Sequence, residues 1–192
     1  QKALSAPPGL TMVCVSETAK KAMHERKTPI ASFYANLLTY ETYYQDQHFP
    51  YTQPMSDIYG FRAALEDCIA DTNRFYRHQE IAKAVRCALT EGGLSLYLKD
   101  GYASTVTVFD VPEGMTDRMI MQDMMKEHNI LISGSIGSLK GKVIRIGHMG
   151  NNANVEDVAA ALDALTQVLQ KHGMDMKVNM KDVFLRELEK TA

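Results

Sequence analysis

A chain of 192 residues, 45% hydrophobic and 23% charged, has a globular composition and is long enough to bury roughly 70% of the surface its unfolded form exposes. Its 21 Lys and Arg stand against 23 Asp and Glu, and a formal charge of -2 supplies no basic footprint for nucleic acid or an anionic membrane. No apolar stretch approaches the roughly 20 residues that a membrane-spanning helix requires.

In chain order, the turn Pro7-Pro8-Gly9 is followed by "LTMVCVS", an apolar run suited to a buried strand, and Ser16 stands where it can cap a helix "ETAKKAMHERK". A second helix is predicted over 32–45, because Phe33, Leu37, Tyr40 and Tyr44 recur at intervals of four, three and four. These aromatics suit a core or an interface. Pro50 and Pro54 then impose an extended loop, since each lacks an amide donor and restrains its predecessor.

From Ser56 to about Thr90 the period is helical and nearly free of breakers. One helix of about 35 residues would reach roughly 50 Å. That length suits a connection between domains, with a bend near Phe75 to His78. Gly92-Gly93 ends it. Beyond lie predicted strands "LSLYL", "STVTVFDV", "ILISGS" and "GKVIRIGHM", alternating with a Thr116-capped helix "DRMIMQDMMKEHN" and an Asn154-capped helix bearing Val155, Val158, Leu162, Leu165 and Leu169. A strand "MDMKVN" and a short helix "MKDVFLRELEK" complete an α/β sandwich from about residue 92 onward.

Several familiar signals fail. In "SGSIGSLKGKV" only three residues separate Gly137 from Gly141, and Val143 occupies the place of the metal-binding hydroxyl, so the run matches no phosphate-loop pattern. A tight turn before a strand explains its glycines. The six histidines show no paired-ligand spacing, and no metal centre is expected. Cys14, Cys68 and Cys87 are odd in number and read as reduced, mostly buried thiols of a cytoplasmic protein.

Arg145 is more informative. In "KVIRIGHMG" strand alternation puts Ile144 and Ile146 on one face and Val143, Arg145 and Gly147 on the other. An arginine inside an otherwise apolar strand points either to an anion, such as a carboxylate taken in two-point contact, or to an edge in solvent. Thr52, between two prolines, is either a phosphate donor or an ordinary turn threonine. A lysine as close to a chain end as Lys2 is ordinarily solvated and idle.

Taken together, "QKALSAPPG", "PYTQPMSDIYGFRAAL" and "GKVIRIGHMGNNA" stand in the order and at about the separations found in one family. Over nearly its whole length the chain resembles the class-V (fold type I) pyridoxal-phosphate aminotransferases, in the alanine/serine–glyoxylate and ureidoglycine–glyoxylate branch. The resemblance implies the C-terminal half of a homodimeric enzyme: a remnant of the large cofactor domain with the start of a connecting helix over 1–75, and the small α/β domain over 76–192. It implies pyridoxal 5'-phosphate as cofactor, and transfer of an amino group from alanine, serine or ureidoglycine to glyoxylate or pyruvate. Lys2 matches the lysine that bonds to the cofactor and then moves the substrate proton. Gln1 matches a residue touching the cofactor phosphate. Thr52 matches a threonine that reaches the phosphate of a neighbouring subunit's cofactor, and Arg145 matches the arginine that holds the substrate carboxylate.

Phe49 departs from the family tyrosine and removes one phosphate donor. His148 stands where some relatives carry an apolar residue, and no role follows for it. The acidic partner of the pyridine nitrogen and the side chain stacked on the ring belong to a half these 192 residues do not supply, so the chain alone is expected to be inactive. Two other readings are a noncatalytic, self-associating protein and a class-V lyase or desulfurase. The latter needs a mobile cysteine, whereas all three cysteines fall on predicted strands or helices.

Overall fold

In the computed structural model, which describes residues 1–190, helices α1 (Glu17–Glu25), α2 (Met55–Ala70) and α3 (Arg74–Glu91) precede strand β1 (Val106–Asp110). Helix α4 (Asp117–His128), strand β2 (Val143–Gly147) and helices α5 (Val155–Lys171) and α6 (Met180–Glu189) follow it. Polar caps set several of the starts. The Ser16, Thr116 and Asn154 side chains accept from the amides of Ala19, Met119 and Asp157 at the heads of α1, α4 and α5, as their sequence positions predict.

The contacts divide the chain into two compact units: Gln1–Ser5 with the chain from Glu66 onward, and Ala6–Leu65. The second unit holds α1 and most of α2. The predicted strand "LTMVCVS" is irregular, with Met12 70% and Val13 56% exposed. An extended segment becomes a strand only when a neighbour takes its amides, and no described segment pairs with it. The predicted helix over 32–45 shrinks to the 3-10 turn Leu37–Tyr40, capped by Asn36. Its aromatics pair with the proline loop instead: Tyr34 stacks on Tyr51 at 5.0 Å, and the Tyr51 hydroxyl donates to the Phe33 carbonyl at 2.7 Å. These contacts replace helical periodicity.

The first unit carries the core. Ile144 and Ile146 of β2 and Phe109 of β1 are buried with Val85 and Leu89 of α3, Leu162, Leu165 and Leu169 of α5, and Phe184 of α6. Thr166 ties α5 to α6 from inside that core, donating to the Leu162 carbonyl at 2.9 Å and accepting from the Met180 amide at 3.1 Å. Strands β1 and β2 pair antiparallel with Val108 opposite Arg145.

Two predicted strands survive as single bridges on either side of this pair, Leu96 to Phe109 and Ser133 to Arg145. In each case a side chain claims the backbone that a ladder would need. The Tyr102 hydroxyl takes the Leu98 and Lys99 carbonyls, and Arg145 Nε takes the Gly134 carbonyl. The segment "MDMKVN" forms no strand; Met174, Met176 and Val178 cover the core edge as irregular chain.

The single long helix is two helices, broken at Asp71–Asn73 rather than near Phe75. Asp71 is the reason: its carboxylate takes Arg77 at 2.5 Å and its carbonyl takes the Arg74 guanidinium at 2.7 Å. Local side-chain bonds of this kind compete with the helical ladder.

Candidate active site

Lys2 opens a 3-10 turn, Lys2–Leu4, in a left-handed conformation at φ 57, and Ser5 closes it at φ 55. Two left-handed residues bracketing one turn are uncommon where both carry a Cβ, and persist where surrounding structure over-determines them. The surrounding structure here is the 3-10 turn Gly150–Asn152, immediately beyond β2. The Asn151 amide donates to Ser5 Oγ at 2.9 Å. Gly150, at φ +60, lies so close that an added Cβ would stand 2.9 Å from the Lys2 carbonyl oxygen and 2.1 Å from Ser5 Oγ. Only glycine fits.

Helix α3 holds the far side of that second turn. The Gly150 amide donates to His78 Nε2 at 3.0 Å, and His78 Nδ1 meets the Arg74 carbonyl at 2.6 Å. Arg77 Nε donates to the Ala153 carbonyl at 2.9 Å. The hydrogen bond from Arg77 holds the Asp71 carboxyl below the usual carboxylate range.

Arg145 stands five residues before Gly150, on β2, with Ile144 and Ile146 buried on either side of its own exposed position. Nε donates to the Gly134 carbonyl, which steadies the plane of the guanidinium. Its terminal nitrogens take no protein acceptor among the described residues, leaving the fork available to a carboxylate. Lys2 is likewise exposed, and among the described residues no carboxylate lies within ion-pair distance of its amine.

Gln1, Lys2 and Arg145 therefore belong to one unit, and the turn of the first two packs on the loop that leaves the strand of the third. Thr52 belongs to the other unit, exposed in the irregular segment between Pro50 and Pro54. Phe49, 52% exposed, packs against Tyr43 at 5.4 Å. His148 is no surface group: it is wholly buried, with Nε2 at 2.8 Å from Thr107 Oγ1 and, among the described residues, no partner for Nδ1. Burial pushes its pKa down to about 4, so it is neutral at ordinary pH.

Cys14 is exposed and outside any regular element, and Cys68 and Cys87 are half-buried, so the expectation of mostly buried thiols is corrected. With no neighbour to pair the segment around Cys14, no strand forms to bury it. A cleft of about 390 Å³ lined by Asp110, Glu113, Met115 and His172 includes none of Gln1, Lys2, Thr52 or Arg145.

Sequence reasoning missed Ser5, Arg77 and His78 as supports of the lysine turn. The glycines of "GHMG" that follow Arg145 read in the sequence as room for a ligand or another backbone, and Gly150 is where a backbone approaches. His78 and Arg77 had no such signal, because only the fold brings the start of α3 to residues more than seventy positions away.

No protein-family model matches the chain. It is 34% identical to a protein of Methanocaldococcus jannaschii named as an uncharacterized aminotransferase, across 97% of this chain and 50% of that protein. It is also 34% identical to the alanine–glyoxylate aminotransferase of Callithrix jacchus, across 88% of this chain and 43% of that one. Among solved structures, the pyridoxamine–pyruvate aminotransferase of Mesorhizobium loti superposes at a TM-score of 0.89 with 30% identity, covering 99% of this chain and 50% of its own. The chain spans about half the length of the curated relatives it matches.

Proposed function

Because this chain belongs to the class-V branch of the fold type I pyridoxal-phosphate-dependent aminotransferases, we propose that it supplies the lysine and the substrate arginine of such an enzyme. The reaction we assign is transfer of an amino group from alanine, serine or ureidoglycine to glyoxylate or pyruvate, in a protein of the relatives' full length. The observation that carries this reading is the interlock of the Lys2 turn with the Gly150 turn that leaves the Arg145 strand.

The residues present suit the cofactor. Lys2 offers an exposed amine on a turn held against the Gly150 loop, and Thr52 offers a hydroxyl in a segment stiffened by two prolines. Pyridoxal 5'-phosphate, when bound, supplies an aldehyde and an electron-withdrawing ring. Lys2 would hold it through the side-chain nitrogen and, once released, carry the proton at the substrate Cα. Gln1 and Thr52 would donate to the phosphate, with Thr52 serving the neighbouring subunit's site in a homodimer. Arg145 would orient the substrate by its carboxylate in two-point contact.

We assign 1–75 to the large cofactor domain and the start of its connecting helix, and 76–192 to the small domain. We place the enzyme in the cytoplasm; among the described residues no helix is long and apolar enough to cross a membrane. The exposed aromatics Phe33, Tyr34 and Tyr44 suit coverage by a second subunit. A noncatalytic, self-associating role for the chain by itself remains compatible with that surface.

The test is an assay of the full-length protein with the three donors against both acceptors. Transfer should be lost in Lys2→Ala and should show a raised KM in Arg145→Gln. No transfer with any pair overturns the assignment. The exposed Cys14 favours sulfur removal as the second reading. In that case the sulfur of cysteine would pass to the Cys14 thiol as a persulfide, leaving alanine, and sulfide released from it by an added thiol reductant would be abolished in Cys14→Ser.

A further inference from the structure

We propose that His78 is a positioning residue for Lys2, acting through the Gly150 amide and Ser5. The inference rests on the reading of Lys2 as the cofactor lysine. The bonding pattern defines the histidine's state. A carbonyl only accepts, so His78 Nδ1 must donate to Arg74; an amide only donates, so Nε2 must be the bare nitrogen that receives Gly150. Both ring nitrogens are therefore committed, and the ring is the neutral Nδ1–H tautomer, set at the start of a helix whose later turns are in the core.

From His78 the constraint passes in three steps. The ring fixes the Gly150 amide. Gly150, at φ +60 and with no room for a Cβ, meets the Lys2 and Ala3 carbonyl oxygens directly. The next amide, Asn151, takes Ser5 Oγ at the end of the lysine turn. Arg77 anchors the same loop from the other end, at Ala153.

Among the described residues the Lys2 amine has no hydrogen-bond or ion-pair partner, and its backbone occupies the left-handed region at φ 57. What determines the direction of its side chain is thus the loop beneath it. A reacting amine must be held within fractions of an ångström of its target, and support from a packed helix achieves this better than a free loop.

The design of the test follows from the acceptor. His78→Gln places an amide oxygen where Nε2 was and keeps a partner for Gly150. His78→Leu keeps the bulk and removes the acceptor. In the Leu variant, hydrogen exchange at the Gly150 and Asn151 amides should quicken about tenfold. The rate at which an acylating reagent modifies Lys2, measured by mass spectrometry against the other lysines, should change severalfold. Gln should restore both.

Ser5→Ala should reproduce the Lys2 effect alone and add little to His78→Leu, since both act along one path. Nitrogen NMR should find His78 protonated at Nδ1 and unprotonated at Nε2. Should the Leu variant fail to fold, Ser5→Ala and His78→Gln carry the test: the first must alter Lys2 reactivity and the second must not. Lys2 reactivity unchanged in Leu despite lost protection at Gly150, or unchanged in Ser5→Ala, overturns the proposal.

Borohydride fixation of pyridoxal phosphate onto Lys2 separates the two ideas. If Lys2 takes no cofactor while its reactivity still follows His78, the cofactor reading falls and the relay stands.

Discussion

Between Ala6 and Leu65 no described residue is buried, and Phe33, Tyr34, Tyr44 and Phe49 are all more than half exposed; from Ile81 onward Phe109, Leu165, Phe184 and even His148 are wholly enclosed. Both regions carry apolar residues and capped helices. Helix α1 has its Ser16 cap and still buries nothing, whereas α5, with its Asn154 cap, buries Val158, Leu162, Leu165 and Leu169 and packs against α4 and α6. Local signals set where a helix begins. Stability comes from a second surface that closes over its apolar face.

The contrast can be broken most forcefully in the enclosed region. Phe184→Ala should cost about 3–5 kcal/mol in urea unfolding, because its cavity cannot refill from solvent. A loss below about 1 kcal/mol would mean that this core is not the closed body that the burial of its neighbours describes.

Acid should act next, through His148. Its folded pKa of about 4 lies below the ordinary 6.5, so the folded chain binds fewer protons there than the unfolded chain does. The stability it contributes is complete above pH 6.5 and is lost as the pH falls toward 4, by up to roughly 3 kcal/mol. His148→Leu should flatten that part of the pH profile. An unchanged slope in the Leu variant would place the acid sensitivity elsewhere.

Thr166→Val should cost about 1–3 kcal/mol, since it keeps the shape and strips the buried Met180 amide of its acceptor. At the other extreme stands Tyr34→Ala. Its ring is 79% exposed, and truncation should change stability by no more than about 0.5 kcal/mol in a monomeric preparation. A larger loss that grows with protein concentration would identify a second copy covering the aromatic cluster.

The degree to which the sequence was legible follows the same division. Helices α4, α5 and α6 and strands β1 and β2 were all readable, because each carries a period and a cap or turn that the core then used. Four failures concern strand pairing. "LTMVCVS", "LSLYL", "ILISGS" and "MDMKVN" have strand composition, but pairing depends on which backbone groups remain free, and Tyr102 and Arg145 had taken some of them. The break between α2 and α3 turned on side-chain bonds to Asp71 that periodicity does not register.

For the candidate site, the residue types and order of "QKALSAPPG" and "GKVIRIGHMGNNA" pointed to Lys2 and Arg145 as candidates and carried the resemblance to the aminotransferases. Strand alternation also placed Arg145 on the face opposite Ile144 and Ile146. Those are properties of short segments, and short segments are what sequence determines.

The tertiary structure alone decided that Gly150 must lie against the Lys2 carbonyl, that Ser5 and His78 hold the loop between them, and that His148 belongs to the core rather than to the site. Each of these joins groups far apart in the chain. Hydrogen-bond partners and excluded volume become definite only when the chain has closed on itself.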